Sequence, residues 1–332
     1  MSEFIPKGFS FAGLHCGIKR DATKEDISLV VADRASVAAG VYTQNQVVAA
    51  PVILNRERTP ASDIRAVITN SGNANACTGQ QGMDDCSQMA RLTATALGLD
   101  ERQILVMSTG VIGEHLPMQK IEAGIKQAST QLGQDAGAVG SAARGMMTTD
   151  TRPKVVSRQW KTSGRTFSVL GLAKGAAMIG PKMATMLATF VTDAPLDQDS
   201  AQSLLRQAVD ESFNCISVEG HMSTNDTVLM LANGAAGGET LAADERDEFG
   251  NLLREACIQL AQEIPSDGEG ATHLIEILVS ECRTREDARR IAKAIAESPL
   301  VKTAVAGADP NWGRIVSAAG YAGVAFEPDS VK

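Results

Sequence analysis

The sequence predicts an α+β protein in which strands and helices pack as layers. Short apolar runs rich in β-branched residues, as strands require, alternate with amphipathic helical stretches. The alternation is not strictly βαβ, because two strand-like runs, Ile27–Ala32 and Val37–Tyr42, follow each other directly. Neighbouring runs of this kind favour antiparallel pairing over a doubly wound parallel sheet. The 332 residues suffice for one large domain or two ordinary ones, and no Pro/Gly/Ser-rich linker divides them.

Several further segments have the composition of a strand or the periodicity of a helix. The remaining strand-like runs are Arg65–Thr69, Ile104–Met107, Thr166–Leu170, Thr227–Leu231 and Leu274–Val279. The helical stretches are the segment between Pro117 and Gly133, Ser200–Phe213, Glu245–Ile264, and a segment from Thr284 to about Ser298. The last of these opens with Thr284-Arg-Glu-Asp287, a variant of the capping box, and stops before Pro299.

Composition and motif content exclude several classes of function. A formal net charge of −8 without a Lys/Arg cluster argues against nucleic acid or anionic membrane as the main partner. The six cysteines are scattered without a C-x-x-C pair, the four histidines are isolated, and the N-terminus lacks the features of a signal peptide. The G-x-S-x-G, P-loop and G-x-G-x-x-G signatures are absent. We therefore expect a cytoplasmic protein with free thiols and no zinc site.

The most unusual segment is Gly171-Leu-Ala-Lys-Gly-Ala-Ala-Met-Ile-Gly-Pro-Lys-Met-Ala-Thr-Met-Leu-Ala-Thr-Phe190. It combines small residues, a proline, two lysines and several methionines, and Thr185 in it follows Ala184. Taken alone, these residues favour a strand end, a Gly-rich turn and a buried Met-rich segment. A functional interpretation depends on the rest of the chain.

The segment closely resembles the self-cleavage signature of the ornithine acetyltransferase (glutamate N-acetyltransferase) family, in which the bond before the Thr of Ala-Thr-Met-Leu is broken. Further blocks resemble the family in family order over essentially the whole chain. They are Pro6-Lys-Gly-Phe9, Gly17-Ile-Lys19, Val41-Tyr-Thr43, Ala49-Ala-Pro-Val52, Asn70-Ser-Gly-Asn-Ala-Asn-Ala76, Ser108-Thr-Gly-Val-Ile-Gly113, Met147-Thr-Thr-Asp-Thr151, Ser223-Thr-Asn-Asp226, Asp267-Gly-Glu-Gly-Ala-Thr272 and Asp309-Pro-Asn-Trp-Gly-Arg314. The resemblance implies the family's α/β/β/α layered sandwich, shared with self-processing aminopeptidases.

The resemblance also implies that Thr185 is the nucleophile and that the chain cuts itself between Ala184 and Thr185. A Thr at the start of a polypeptide has its own α-amino group as general base, with a reference pKa of ~7.7–8.0. An internal Thr has no such amine, so cleavage must come first. The products would be an α chain of residues 1–184 and a β chain of residues 185–332, which form one intertwined unit.

The resemblance also implies roles for other residues, assigned by their positions in the family's sequence blocks. Thr109 and Gly110 match the oxyanion-hole pair, whose alternative is a plain strand-to-helix turn. Lys174, Thr148 and Glu269 match substrate-binding residues. Without the resemblance, Lys174 would be an exposed lysine at a strand end, Thr148 a hydroxyl that caps a turn, and Glu269 a solvated loop carboxylate. The neighbouring Thr149 is an alternative to Thr148 as the substrate-binding threonine.

The asparagines of the Gly/Asn-rich block, Asn70, Asn73 and Asn75, are predicted to be structural. In three respects the chain departs from the family pattern. Val218-Glu-Gly-His221 replaces an acidic Val-Asp-Gly-Asp, and His273 stands where a lysine often occurs. Family chains also continue for several dozen residues past the Asp309–Arg314 block, so we expect a C-terminal segment of the family to be missing here.

The function implied is transfer of an acetyl group from N-acetylornithine to glutamate through an acetyl-threonine intermediate, in arginine biosynthesis. Acetyl-CoA is a second donor in some members. No metal or organic cofactor is implied, and an oligomer of α–β pairs is expected. Two alternatives stay open: a self-processed Thr-nucleophile amidohydrolase or aminopeptidase that uses water as acceptor, and an uncleaved homologue without catalytic activity.

Overall fold

Eight strands are present in the part of the chain that the computed structural model describes, residues 4–162, 164–180, 186–328 and 331. They are β1 (Phe9–Leu14), β2 (Ile27–Tyr42), β3 (Ala61–Asn73), β4 (Ile104–Val111), β5 (Lys154–Thr162), β6 (Arg165–Lys174), β7 (Leu187–Thr192) and β8 (Thr227–Ala232). All belong to one sheet in the order β4-β3-β2-β8-β7-β6-β5, and β1 pairs with β2 beside this path. The β3–β4 and β7–β8 pairs are parallel, and the others are antiparallel.

Helices among the described residues pack on both outer surfaces of the sheet and in its core, and the last three form a separate apolar cluster. They are α1 (Ala50–Arg58), α2 (Gly79–Leu97), α3 (Met118–Thr130), α4 (Ala136–Met146), α5 (Gln198–Asp210), α6 (Ala243–Ser266), α7 (Arg285–Glu297), α8 (Pro299–Ala306) and α9 (Trp312–Gly320). Among the described residues, no helix combines the length and the apolar character that crossing a bilayer would require.

The long strand β2 pairs with strands of both halves of the sheet. Its first part, Ile27–Val31, pairs with β1 and β3, and its last part, Val37–Tyr42, pairs with β8. The register with β3 shifts on both sides of Ser36, and irregularities of this kind bend a strand. β2 thus connects a first half-sheet (β1 to β4) to a second half-sheet (β5 to β8).

The two half-sheets face each other across a shared central core. In β4, Leu105 and Met107 lie in the same buried cluster as Leu229 and Leu231 of β8. The alternate residues of these strands point outward, because side chains of a strand alternate between its faces. Those of β4 pack with α1, α2 and α3, and those of β8 pack with α5 and α6. The predicted α/β/β/α layered sandwich is confirmed.

Most predicted elements are found, with different bounds. Each helical stretch predicted from periodicity is a helix, and Thr284 caps α7 by accepting a hydrogen bond from the Asp287 amide. The two early strand runs are parts of one strand, β2. The strand predicted at Leu274–Val279 is wrong: residues 271–280 form no strand, and the Leu278 side chain is 89% exposed. The structure places no hydrogen-bonded strand beside this segment within the described residues, and β-branched composition alone does not make a strand.

Helix α4 packs on the first half-sheet more closely than a side chain would allow. A Cβ added to Gly13 of β1 would lie 1.9 Å from the Ser141 carbonyl oxygen, and one added to Gly145 would lie 2.2 Å from the Ile27 oxygen. The helix also contributes Val139 and Met146 to the central core. These glycines therefore set the position of α4, whose C-terminal end leads into the Met147–Thr151 block.

We expect Gly13→Ala to lower the free energy of unfolding by about 1–3 kcal/mol, because the new methyl group must push α4 away from β1. Gly320→Ala is the matched control, since no atom lies within 4 Å of the position of its added Cβ. Equilibrium unfolding in guanidinium chloride measures both. An unchanged midpoint for Gly13→Ala would contradict the close packing of α4 against β1.

Candidate active site

Two of the residues singled out in the sequence meet at one end of the central core. Thr109 continues the inward-facing series of Leu105 and Met107 in β4, and Lys174 lies at the end of β6. The two strands belong to opposite half-sheets. The Lys174 Nζ donates a hydrogen bond of 2.9 Å to the Thr109 Oγ1, and both residues are almost fully buried.

The contact has consequences for both groups. A threonine hydroxyl that accepts from an ammonium group keeps its own proton available to donate elsewhere. Burial lowers the pKa of Lys174, while the negative charges of Asp150 and Asp226 act in the opposite direction. The site therefore combines an oriented hydroxyl donor with a buried amine that has acidic neighbours.

Gly110 follows with a backbone that only glycine adopts readily. Its φ is +136°, and an added Cβ would lie 2.2 Å from the Gly72 carbonyl carbon in β3. A small cavity of about 40 Å³ opens beside Thr109 and Gly110. The rest of its lining consists of Ala74, Ile112, Met178, Ser223, Thr224 and Asn225. The backbone at Gly110 is thus exposed to a cavity of limited size.

Asparagine side chains hold this region together. Asn225 donates from Nδ2 to the carbonyl oxygens of Ala74 (2.6 Å) and Ser108 (2.8 Å), and so connects the start of β8 to β4. The Ser108 hydroxyl donates to Asn70 Oδ1, and Asn70 Nδ2 donates to the Asn73 carbonyl oxygen. Asn75 has a positive φ of 48°. The structural role predicted for Asn70, Asn73 and Asn75 agrees with these contacts.

Asp226 is a site residue that the sequence did not single out by itself. Its Oδ1 accepts a 3.1 Å hydrogen bond from the Met186 amide, and its buried Oδ2 has no hydrogen-bond partner among the described residues. Burial raises the pKa of the Asp226 carboxyl to about 8. Met186 follows the predicted nucleophile Thr185 in the chain, so this carboxyl lies against the amide directly after it. Thr185 and Ala184 themselves lie outside the described residues.

Thr148 and Glu269 are connected to the segment around Lys174 through the backbone. The Thr148 amide donates to Asp150 Oδ2 (3.0 Å), and the Gly175 amide donates to Asp150 Oδ1 (2.6 Å). The Glu269 amide donates to the Ala176 carbonyl oxygen (3.1 Å). The structure thus brings the predicted substrate residues onto adjoining segments. Thr148 is half-buried and Glu269 is exposed.

The two histidines that depart from the family pattern lie at the surface. The His221 side chain is 76% exposed, and its Nδ1 lies 3.9 Å from a Glu219 carboxylate oxygen. His273 is exposed, and its Nδ1 lies 2.8 Å from the Thr272 hydroxyl. Neither histidine lines the cavity beside Thr109 and Gly110.

Comparison with known proteins decides the family. The sequence profile of the ArgJ family matches residues 10–332. The chain belongs to the ArgJ family. It is 49% identical to the arginine biosynthesis bifunctional protein ArgJ of Rhodopirellula baltica, over 99% of this chain and 80% of that protein. Identity to the ArgJ of Thermotoga neapolitana is 47%, over 98% of this chain and 82% of that one.

A solved structure of an ArgJ protein supports the fold. The crystal structure of the arginine biosynthesis bifunctional protein ArgJ of Bacillus halodurans is 38% identical and superposes with a TM-score of 0.51. The match covers 55% of this chain and 92% of that one. Membership of the ArgJ family thus agrees with the ordered blocks found in the sequence.

We expect Asp226→Asn to change the pH dependence of stability. The folded pKa of about 8 lies above the ordinary 3.8. The protonated Asp226 carboxyl therefore contributes its full share of the folding stability below pH 3.8, the ordinary pKa. That contribution is lost as the pH rises towards the pKa in the folded protein. Asn has no such loss, so the stability of the variant relative to the parent should increase over that range. The expected change is at least about 1.4 kcal/mol, the equivalent of one pKa unit.

Urea unfolding at a series of pH values measures this difference. Both proteins should carry Thr185→Ala, so that the predicted self-cleavage does not differ between them. A stability difference that stays constant with pH would show that Asp226 does not titrate in this range.

Proposed function

We propose that this chain transfers an acetyl group from N-acetylornithine to glutamate in arginine biosynthesis, with Thr185 as the nucleophile. The observation that carries the proposal is the contact between Lys174 and Thr109 at the end of the central core of an ArgJ-family chain. It brings a buried cation and an oriented hydroxyl donor beside the cavity that Gly110 lines.

The reaction has two halves that share one covalent intermediate. In the first, the Thr185 hydroxyl attacks the acetamide carbonyl and gives its proton to the α-amino group of Thr185. The C–N bond to ornithine then breaks, its nitrogen takes up that proton, and acetyl-threonine ester remains. In the second half, the glutamate amine attacks the ester carbonyl and gives one proton to the α-amino group of Thr185. The C–O bond then breaks, and the Thr185 oxygen takes up that proton, which restores the hydroxyl.

Thr109 and Gly110 stabilise the negative oxygen that forms in each half. The Thr109 hydroxyl accepts from Lys174 and therefore presents its own proton to another acceptor. The positive φ of Gly110 and its close approach to Gly72 hold the backbone of this residue in one arrangement. Donors held in place before the reaction do not have to reorganise when charge develops.

Thr148, Lys174 and Glu269 bind the amino-acid part of the substrates. A carboxylate such as Glu269 suits an ammonium group of ornithine or glutamate, and the ammonium group of Lys174 suits a carboxylate. The connection of all three residues to residues 174–176 or to Asp150 supports this assignment, because it keeps their backbone positions related.

Self-cleavage between Ala184 and Thr185 precedes catalysis and produces chains 1–184 and 185–332. The sheet order supports an intertwined unit, because β7 and β8 of the second piece lie between β2 and β6 of the first. Acetyl-CoA as a second donor, assembly of α–β pairs into an oligomer, independence from metals and organic cofactors, and a cytoplasmic location stay predictions.

The first experiment is denaturing mass spectrometry of freshly purified protein beside Thr185→Ala, followed by assay with N-acetylornithine and glutamate. We expect the parent to give two pieces, 1–184 and 185–332, and to form N-acetylglutamate. Thr185→Ala should stay a single chain without transfer, because it lacks the hydroxyl that both steps need.

Each alternative function has its own result in this experiment. Release of free acetate without N-acetylglutamate would replace the proposal with a Thr-nucleophile amidohydrolase. A single intact parent chain that is inert to both substrates would indicate a homologue without catalytic activity.

A second test removes one oxyanion donor. Thr109→Val loses the hydroxyl and keeps the shape, so we expect kcat to fall roughly 100- to 1000-fold, the usual effect of losing one such donor. Thr109→Ser is the matched control, because it keeps the hydroxyl next to Lys174 and should retain most of the activity. Steady-state kinetics on cleaved protein measure both variants. Equal kcat values for the valine and serine variants would remove Thr109 from the oxyanion hole.

A further inference from the structure

A completely buried lysine lies outside the residues that the proposed reaction uses. Lys154, at the start of β5, has no solvent-exposed side-chain surface. Its Nζ lies 2.7 Å from Asp150 Oδ1 and 2.6 Å from Asp267 Oδ2. Both carboxylates are buried as well. We call Asp150, Lys154 and Asp267 the buried charge cluster.

Both carboxylates of the cluster are held in the charged form. Burial by itself would raise the pKa of Asp150. The charges of Lys174 and Lys154, together with hydrogen bonds from Lys154 and the Gly175 amide, outweigh burial and keep the pKa below its usual value. For Asp267, burial likewise acts upwards, and hydrogen bonds from Lys154 and Thr151 lower the pKa. Asp267 also follows the C-terminal end of α6, where the helix dipole disfavours a negative charge. A buried cation next to it offsets both effects.

The cluster joins the three segments that carry the predicted substrate residues. Asp150 accepts from the amides of Thr148 and Gly175, and Gly175 directly follows Lys174. Asp267 lies two residues before Glu269 and accepts from both the amide and the hydroxyl of Thr151. Lys154 connects the two carboxylates. Each of Thr148, Lys174 and Glu269 is thus a member of the cluster's hydrogen-bond network or lies within two residues of one in the sequence.

We propose that the buried charge cluster of Asp150, Lys154 and Asp267 is a positioning device that fixes Thr148, Lys174 and Glu269 for substrate binding. This inference rests on the proposed function, because it assumes that these three residues contact the substrates. The cluster residues act through their neighbours and do not touch the reacting atoms.

The placement of the cluster favours this role over a purely stabilising one. A buried ion pair contributes little net stability compared with apolar residues of the same volume, since both charges must leave water. A buried ion pair instead fixes geometry, because each charge-assisted hydrogen bond holds the two groups that it joins in a defined orientation. Here those groups are the amides of two segments next to the site and the end of α6.

The decisive variant is Asp267→Asn, which keeps the shape of the side chain and removes one charge of the cluster. We expect KM for N-acetylornithine and for glutamate to rise roughly tenfold, about the loss of one charge-assisted hydrogen bond. Self-cleavage and kcat should change less than about threefold, because an interaction lost equally in ground and transition states raises KM alone. Mass spectrometry and steady-state kinetics on the cleaved protein give these values.

The matched control is Glu245→Gln at the other end of α6. Glu245 forms a paired hydrogen bond with Arg165 Nη2, at 2.8 and 2.6 Å, and is also buried. Loss of the Glu245 charge should lower thermal stability without altering KM. If Asp267→Asn and Glu245→Gln change KM equally, or if KM stays unchanged in Asp267→Asn, the positioning role is overturned.

Two further variants keep the inference testable if Asp267→Asn does not fold. Thr151→Val removes only the hydroxyl donor to Asp267 and should raise KM by roughly threefold, a smaller loss of the same kind. Lys154→Met combined with Thr151→Val should raise KM no more than Lys154→Met alone, since groups that act as one unit are not additive. Fully additive effects would overturn the proposal. The parent protein is assayed in parallel, so that failure of the proposed function can be told from failure of the positioning role. A parent that transfers no acetyl group refutes the proposed function and, with it, this inference.

Discussion

The bend in β2 is the constraint on which the rest of the structure depends. One strand supplies hydrogen bonds to β1 and β3 with its first part and to β8 with its last. Because the strand is continuous, its bend turns one face of the sheet towards itself and creates the central core. The ends of β4 and β6 then meet, although Thr109 and Lys174 are far apart in the sequence. In a flat sheet of this strand order, β3, β2, β8 and β7 would separate β4 from β6 and keep these two side chains apart.

Two buried polar groups at this end of the core, Lys154 and Asp226, differ in how well their hydrogen bonds are satisfied. Lys154 is paired with two carboxylates, whereas the Oδ2 of Asp226 has no partner among the described residues. A buried polar atom without a hydrogen bond typically destabilises a fold by about 1–3 kcal/mol. Groups whose pKa is strongly shifted, as that of Asp226 is, cluster at functional sites. Asp226 therefore differs from the nearby Asn70 and Asn225, whose side-chain amides donate to backbone carbonyl oxygens and whose oxygens accept from hydroxyl groups.

Much of the fold was predictable from local sequence. Helices α3, α5, α6 and α7 follow from periodicity and from capping residues, because these signals are set within one or two turns. The strand at Leu274–Val279 was predicted and is absent, because a strand also needs a neighbour, which composition does not reveal. Strands β1, β5 and β7 were not predicted, and the joining of two runs into β2 depends on partners distant in the chain.

The site was predictable in a more limited way. Thr109, Gly110, Lys174, Thr148 and Glu269 came from family resemblance, and residue type alone would have favoured a structural role for each. Asp226 was missed because its burial depends on segments that are distant in the chain. The buried charge cluster was missed because Asp267, which completes it, lies 113 residues after Lys154 and leaves no local pattern. One signal was present for Asp226: a polar run, Ser223–Asp226, directly precedes the fully buried strand β8. Buried polar side chains at such a boundary require partners, and therefore indicate a network.

The position of β7 and β8 between β2 and β6 also determines how the molecule can assemble. The strands on either side of the proposed cut, β6 and β7, are antiparallel neighbours in the sheet. Folding of the intact chain is then a unimolecular process, and strand pairing benefits from the short connection between β6 and β7. Once that connection is lost, the two pieces meet again only by diffusion, and reassembly depends on their concentration. The cut would thus convert a folding equilibrium into an association equilibrium, and the mature protein would retain its shape largely because it unfolds slowly.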